Sequence, residues 1–152
     1  MARETKARRI CAGLLLVYAA VMVYLLFLQR SPQPLPMKMY IEMSTNLIPL
    51  KTIRQQLRLL EGGAFVRFAF VNLVGNVIMF LPLGLLPGIW KKQRKFGWYL
   101  LTVAAVVALV EAVQLVTRLG SADIDDWLLN MLGAVVGFEI WRTIGKICRL
   151  YQ

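Results

Sequence analysis

The sequence predicts an all-α, polytopic membrane protein with four transmembrane helices and an external interfacial helix between the first and the second. Hydrophobic residue types make up 59% of the 152 residues and charged types only 17%, whereas a soluble domain is about half apolar and about a quarter charged. Apolar runs close to the length that a bilayer requires, about 20 residues, recur along the chain. Basic residues cluster beside these runs, which is typical of cytoplasmic ends of membrane helices.

The four spans are predicted at about 10–28, 64–90, 96–117 and 127–144, within a single membrane domain that covers residues 1–152. The first run is long for the core of a signal peptide, and no small-residue cleavage site follows it, so we expect a retained helix. Pro82 and Pro87 are expected to kink the second span or to end it early, which membrane helices tolerate.

The segment at about 50–61 predicts a short amphipathic helix between the first and second spans. Ile53, Leu57 and Leu60 share one face of a helix. The basic residues of the segment lie elsewhere on the wheel: Lys51, Arg54 and Arg58. We expect this helix to lie on the external membrane surface. A solvated helix without membrane contact is the alternative.

The orientation follows from the distribution of positive charge. With four spans, eleven of the eighteen Lys and Arg residues fall on the side of the N-terminus. The positive-inside rule therefore predicts that both termini lie in the cytoplasm. The net charge of +10 is assigned to orientation and to contact with anionic lipids, and nucleic acid is not expected as a partner. Because the chain contains no His, a His ligand to a metal and a His general base are excluded.

Polar residues recur at helical spacing in three of the predicted spans, where they are costly to bury in lipid. They are Asn72 and Asn76 in the second; Glu111, Gln114 and Arg118 in the third; and Asp123, Asp125, Asp126 and Asn130 at the start of the fourth. With the N-terminus inside, all of them fall in the outer half of the membrane. We therefore predict an outward-facing ligand-binding pocket, with the asparagines alternatively serving only as hydrogen-bonding links between helices.

The predicted pocket is acidic, because Arg118 cannot neutralise the four carboxylates. Such a pocket suits a cation, a proton or a ligand with a basic group. A divalent cation held by Glu111, Asp123 and Asp126 is one option; no other cofactor is evident, and no catalytic residue is assigned. Gly133 and Gly137 form a G-x-x-x-G pair that predicts close helix packing, with a homo-oligomer as one outcome.

Several short motifs in one order resemble the VanZ-like family. They are Asn46-Leu47-Ile48-Pro49; Asn72 with Gly75-Asn76 and Phe80-Leu81-Pro82-Leu83-Gly84; Glu111 with Gln114; and Arg118 with Asp123-Ile124-Asp125-Asp126, Asn130, Gly133 and Gly137. Leu50 departs from the family pattern, which often has Phe after the proline. The resemblance implies a multi-pass protein of the bacterial cytoplasmic membrane and, in some members, lowered susceptibility to teicoplanin-like lipoglycopeptides. It implies no mechanism.

Three functions stay open. The first is a non-enzymatic envelope protein whose pocket binds an envelope lipid, a cell-wall precursor or a lipoglycopeptide. The second is a membrane enzyme acting on an envelope lipid or lipid-linked intermediate, with Glu111 or an aspartate of 123–126 as base or metal ligand. The third is a small transport or channel subunit. The first is preferred because a clear nucleophile is missing and four spans are few for alternating access.

Overall fold

The computed structural model describes residues 2–61, 65–85 and 96–150, with the side chains of all of these except residues 2–9, 11 and 145–150. Within these ranges the chain is mostly helical. The elements are α1 (Ala2–Val23), which continues as a π-helical turn (Tyr24–Leu28), α2 (Met37–Ser44), β1 (Thr45–Asn46), α3 (Lys51–Leu60), α4 (Val66–Leu85), α5 (Phe96–Val116), β2 (Ala122–Asp123) and α6 (Ile124–Leu150).

Two helices of the described chain, α4 and α5, are long and apolar enough to cross a membrane. They correspond to the second and third predicted spans. The apolar part of the first helix, Ala12–Leu28, is shorter. Helix α6 begins three residues before the predicted fourth span, and its first turn contains Asp125 and Asp126. The four-span arrangement as a whole stays a prediction.

Helix α4 runs through Pro82 to Leu85, so of the two predicted effects, a kink or an early end, Pro82 does not produce the second. A proline inside a helix removes one backbone hydrogen bond. Here the surrounding turns are held by packing, because Phe80 and Gly84 are both buried. Pro87 and the basic cluster at 91–95 lie outside the described residues.

Helices α4 and α6 run parallel and cross at a seam of small residues. A Cβ atom built on Gly133 would lie 2.0 Å from the carbonyl oxygen of Val77, and one on Gly137 would lie 2.0 Å from that of Leu81. Both distances are too short for any side chain. The predicted close packing of the G-x-x-x-G pair is therefore present within one chain. A homo-oligomer through the same pair stays a prediction, although this chain already uses both glycines.

The core lies where α5 runs antiparallel to α6 and both meet α4. Its buried members are Phe80, Tyr99, Val103, Val107, Ala134 and Phe138. The rings of Tyr99 and Phe138 stack with centroids 4.9 Å apart, and the Tyr99 hydroxyl donates to the carbonyl of Ala134 at 3.0 Å. Helix α1 joins this bundle through the Tyr18 hydroxyl, which donates to the Met79 carbonyl at 2.8 Å.

The segment between α1 and α4 folds over one end of the bundle. The sequence did not predict α2, which begins directly after Pro36 and buries Tyr40. The Tyr40 hydroxyl donates to the carbonyl of Gly120 in the α5–α6 connection. Strands β1 and β2 form a short parallel pair that links the same two segments, with Thr45 opposite Ala122.

Helix α3 has the predicted extent, but its inner face differs from the predicted one. Gln56 is buried, and Ile53 and Leu60 are half-buried, so residues spaced three and four apart face the rest of the protein. Of the three apolar residues expected to face lipid, only Leu57 is exposed, at 50%. The pattern of apolar residues did not predict this inner face. Helix α3 packs mainly on α4, and its buried face includes Gln56, a polar residue that a search for apolar positions passes over.

Candidate functional site

Asp125 is fully buried and binds the start of α3. Its Oδ1 atom accepts the backbone N–H of Leu50 at 2.5 Å, and its Oδ2 atom accepts those of Thr52 at 2.7 Å and Ile53 at 3.1 Å. The first backbone N–H groups of a helix have no partner within the helix, and they attract negative charge. Asp125 therefore caps α3 from a distant part of the chain.

Asp123 continues the same network. Its Oδ1 atom accepts from the Asn46 side-chain amide at 3.0 Å and from the backbone N–H of Asp125 at 2.9 Å. Its Oδ2 atom accepts the Thr52 hydroxyl at 2.6 Å. We call Asp123 and Asp125, with the residues 46–53 that they bind, the aspartate clasp. All four carboxylate oxygens are engaged within the chain, so the clasp holds two loops together, and its use as a ligand site stays a prediction.

The predicted helical faces hold only in part. Helix α5 ends at Val116, and Arg118 lies beyond it in a left-handed turn with φ of 57°. Arg118 therefore does not continue the face of Glu111 and Gln114, and its guanidinium donates to the Leu35 carbonyl at 2.9 Å. Asp123 likewise belongs to β2, ahead of α6. The spacing was misleading because both helices were assumed to extend into the loop between them.

A second group of polar residues lies inside the bundle. The Asn76 side-chain amide donates to Asp126 at 2.7 Å, and Asn130 follows Asp126 one turn later on α6. Glu111 on α5 lies close enough to Asp126 for their charges to interact. We call Asn76, Glu111, Asp126 and Asn130 the acceptor cluster. The polar faces of the second and fourth predicted spans therefore meet through Asn76 and Asp126, and a pocket shared with Glu111 and Asn130 stays a prediction.

Two atoms of the acceptor cluster are buried without a hydrogen-bond partner among the described residues. They are the Oε1 atom of Glu111 and the Oδ1 atom of Asn130. Most buried polar atoms in proteins are paired, and an unpaired one costs about 1–3 kcal/mol. Both of these atoms are acceptors. The cluster can therefore receive N–H or O–H groups from a ligand.

Asp126 lies one residue ahead of the predicted fourth span, and the pKa of its carboxyl is raised. Burial raises the pKa of its carboxyl from 3.8 to about 6, and the charges of Asp123 and Asp125 act in the same direction. The guanidinium of Arg30 and the hydrogen bond from Asn76 oppose this rise in pKa. The Asp126 carboxyl therefore titrates closer to neutral pH than an ordinary aspartate does.

The two remaining predicted site residues lie at the edges of the acceptor cluster. Gln114 is buried and donates to the Leu26 carbonyl at 3.1 Å, which ties α5 to the π-helical turn after α1. Asn72 is half-buried, one turn before Asn76 on α4. In the described ranges no three or more His, Cys, Asp or Glu side chains form a group that could hold a metal ion. The predicted set of Glu111, Asp123 and Asp126 is thus not gathered around one point.

A cavity of about 530 Å³ opens at the same end of the fold as the α5–α6 connection. It lies between the residues after α1 and the turn that follows α5, and we call it the arginine cavity after Arg30 and Arg118 in its wall. The Arg30 guanidinium donates to the Leu119 carbonyl at 3.2 Å, and a Cβ atom on Gly120 would lie 2.9 Å from its Nη1 atom. The absence of a side chain at Gly120 therefore leaves room for the Arg30 guanidinium beside the Leu119 carbonyl.

Sequence reasoning missed several residues of these sites. Arg30 was counted only for topology, and Tyr40 lay in the polar connection after the first span, where no helix was predicted before about residue 50. Asn46 belonged to a motif whose partner was unknown. Their partners lie more than seventy residues away in the chain.

The fold and these sites together define a small helical protein with an apolar bundle and a polar cap at one end. The chain belongs to the VanZ/LLP1 family, whose model matches residues 15–146. It is also 25% identical over 134 residues to Protein VanZ of Enterococcus faecium, an alignment that covers 88% of this chain and 74% of the relative. No solved structure matches the chain significantly. The family is one of membrane proteins, in agreement with the apolar α4 and α5.

Proposed function

We propose that this protein crosses the cytoplasmic membrane of a bacterium four times, with both termini inside. Its outward acceptor cluster binds an envelope lipid or a cell-wall precursor without chemical conversion. By doing so it lowers susceptibility to teicoplanin-type lipoglycopeptides, as the resemblance to the family implies. Membership of the VanZ/LLP1 family supports the membrane location and the association with the envelope.

Exposed apolar side chains support the four-span arrangement. All four long helices carry large apolar residues on their outer surfaces, a pattern that suits lipid and not water. Examples with at least half of their surface exposed are Leu14 and Leu16 on α1, Phe68 and Ile78 on α4, Trp98 and Leu109 on α5, and Leu132 and Ile144 on α6. The antiparallel course of α5 relative to α4 and α6 fits successive crossings.

The observation that carries the binding proposal is a pair of buried acceptors, Glu111 Oε1 and Asn130 Oδ1, that have no hydrogen-bond partner among the described residues. A ligand that donates hydrogen bonds to them gains their interaction and removes the cost of leaving them unpaired. Head groups of envelope lipids and cell-wall precursors carry many N–H and O–H groups. The adjacent Asp126 also favours a donor with positive charge.

A membrane enzyme is the second candidate, and one observation favours it. The charge of Asp126 bears on the Glu111 carboxyl, and two neighbouring carboxyl groups serve general acid and base catalysis when their protonation states differ. The enzyme would convert an envelope lipid or lipid-linked intermediate. Purified protein that changes the mass of such a lipid would favour this candidate over simple binding.

The proposal is tested by teicoplanin susceptibility, measured together with the amount of protein in the membrane. Glu111→Gln and Asp126→Asn should each abolish the protective effect at normal abundance. Glu139→Gln is the matched control, because Glu139 is exposed and pairs with Arg142 on the same helix. If both cluster variants protect fully at normal abundance, the acceptor cluster is not the site, and residues 46–61 become the better candidate.

A further inference from the structure

We propose that the arginine cavity binds the phosphate group of an anionic lipid headgroup. This binding site is separate from the acceptor cluster, which offers oxygen acceptors and would repel a phosphate. The ligand is thus defined by its chemistry, a phosphate on a lipid. Only the outward direction of the cavity rests on the function proposed above.

The charge of the cavity points to an anion. Arg30 and Arg118 both line it, and no Asp or Glu does. In the described part of the chain neither guanidinium has a carboxylate within 4.0 Å. Arg30 also interacts with the charge of Asp126. Asp126 does not line the cavity, and its carboxylate accepts a hydrogen bond from Asn76. Because a guanidinium presents several N–H groups in one plane, it matches the oxygens of a phosphate well.

The neutral groups of the cavity suit the same ligand. Three serines line it, Ser31, Ser44 and Ser121, and each hydroxyl can donate one hydrogen bond to a phosphate oxygen. The Tyr40 hydroxyl is directed at the Gly120 carbonyl instead. The wall is therefore rich in donors that complement a phosphate diester.

Size and position favour a lipid headgroup over a small ion. The cavity is an open depression of about 530 Å³, which gives room for a group larger than a small ion. The cavity lies at the ends of α1 and α5 that share one side with the aspartate clasp, where the headgroup layer of a membrane would meet four spanning helices. Met43, which is 68% exposed, adds an apolar rim for the neighbouring part of the lipid.

The cavity is held in shape before any ligand arrives. Arg118 keeps a left-handed conformation that a non-glycine residue seldom adopts. Its backbone carbonyl accepts the N–H of Gln33 at 3.1 Å, while its guanidinium reaches Leu35. Both arginines thus connect the two walls. A site that is ordered in advance spends less of its binding free energy on ordering.

The test uses the full chain in phosphatidylcholine nanodiscs, with phosphatidylglycerol added as the lipid probe and inorganic phosphate as the free-ion probe. Bound lipid is counted by native mass spectrometry. The variants are Arg30→Gln and Arg118→Gln, with Arg54→Gln as the matched control, because Arg54 is an exposed cation of the same cap that does not line the cavity. Arg30→Lys keeps the positive charge but lacks the planar guanidinium with its several N–H donors.

We expect wild-type protein to retain phosphatidylglycerol in preference to phosphatidylcholine. Arg30→Gln and Arg118→Gln should each weaken retention roughly tenfold or more, the loss expected for one charge-assisted hydrogen bond, with Arg30→Lys intermediate and Arg54→Gln unchanged.

Equal losses in Arg30→Gln and Arg54→Gln would indicate non-specific attraction and overturn the site. Binding of inorganic phosphate without lipid selectivity would overturn the lipid assignment. Since Arg30 is exposed, its variants keep the test informative even where Arg118→Gln fails to fold. These binding results do not depend on teicoplanin susceptibility, so each proposal can fail separately.

Discussion

The carboxylate of Asp125 accepts the backbone N–H of Thr52 at 2.7 Å and so fixes the first turn of α3 to the first turn of α6. Two further backbone N–H groups, from Leu50 and Ile53, reach the same carboxylate. Leu50 adopts a left-handed conformation with φ of 64°, which turns the chain so that its N–H points at Asp125. Residues 46–53 and 122–125 therefore form one unit, although α4 and α5 separate them in the sequence.

Asp125→Asn should destabilise the protein by about 3 kcal/mol, because the amide replaces one acceptor oxygen with an N–H₂ group that faces backbone donors in a dry site. The free energy of unfolding would be measured by titration with sodium dodecyl sulfate. Glu139→Gln, which alters an exposed ion pair, should change stability by less than about 1 kcal/mol. Equal stability of the two variants would contradict the capping role of Asp125.

Gly133→Ala should destabilise the contact of α4 with α6. The added methyl group would lie 2.0 Å from the Val77 carbonyl oxygen, and since that oxygen belongs to the backbone, the helices must separate. A loss of about 3 kcal/mol is expected, the upper end of what overpacking costs. Gly75→Ala is the control, because no atom of the described residues lies within 4 Å of its added Cβ atom. The control should lose no stability and can gain up to about 1 kcal/mol from better helix propensity. The same unfolding titration compares both variants.

The long helices could be predicted from the sequence because apolar runs report directly on burial in protein or lipid. The third predicted span, 96–117, differs from α5 by a single residue. The cap could not be predicted in the same way. Helix α2 contains no long apolar face, and its position depends on Tyr40 reaching Gly120, a contact between residues eighty apart that no local pattern encodes.

The candidate site was predictable in its members and less so in its arrangement. Helical spacing correctly placed Asn76 of α4 beside Asp126 in the first turn of α6. The same spacing failed for Arg118 and Asp123, which lie past helix ends. Counting charges also treated Asp125 as available to a ligand, whereas three backbone N–H groups already bind it. Backbone donors are invisible to an analysis of side-chain types.

Topology reporters should divide along the predicted sides of the membrane. A reporter fused after Lys95 should behave as cytoplasmic and one after Ser121 as external, because the basic cluster at 91–95 favours the inner side. A fusion after Gln152 should again be cytoplasmic. Ser121 also lines the arginine cavity, so the second fusion tests the side on which that cavity opens. The reverse result at either internal position would exclude the four-span topology.

Asp126 should make the stability of the fold depend on pH. Its pKa is raised in the folded protein from 3.8 to about 6, so folding favours the protonated form. The stabilising contribution is fully present below pH 3.8 and is lost as the pH rises through about 6. The pKa difference corresponds to about 3 kcal/mol.

Asp126→Asn should remove this dependence, because Asn stays uncharged at every pH. The variant should be more stable than the wild type at pH 7, even though the proposed function predicts that it no longer protects against teicoplanin. Unfolding in sodium dodecyl sulfate, measured at several pH values between 4 and 7, checks the difference in slope. Glu139→Gln should keep the wild-type slope, since the Glu139 side chain is exposed. A wild-type slope in Asp126→Asn would mean that another carboxyl group carries the titration.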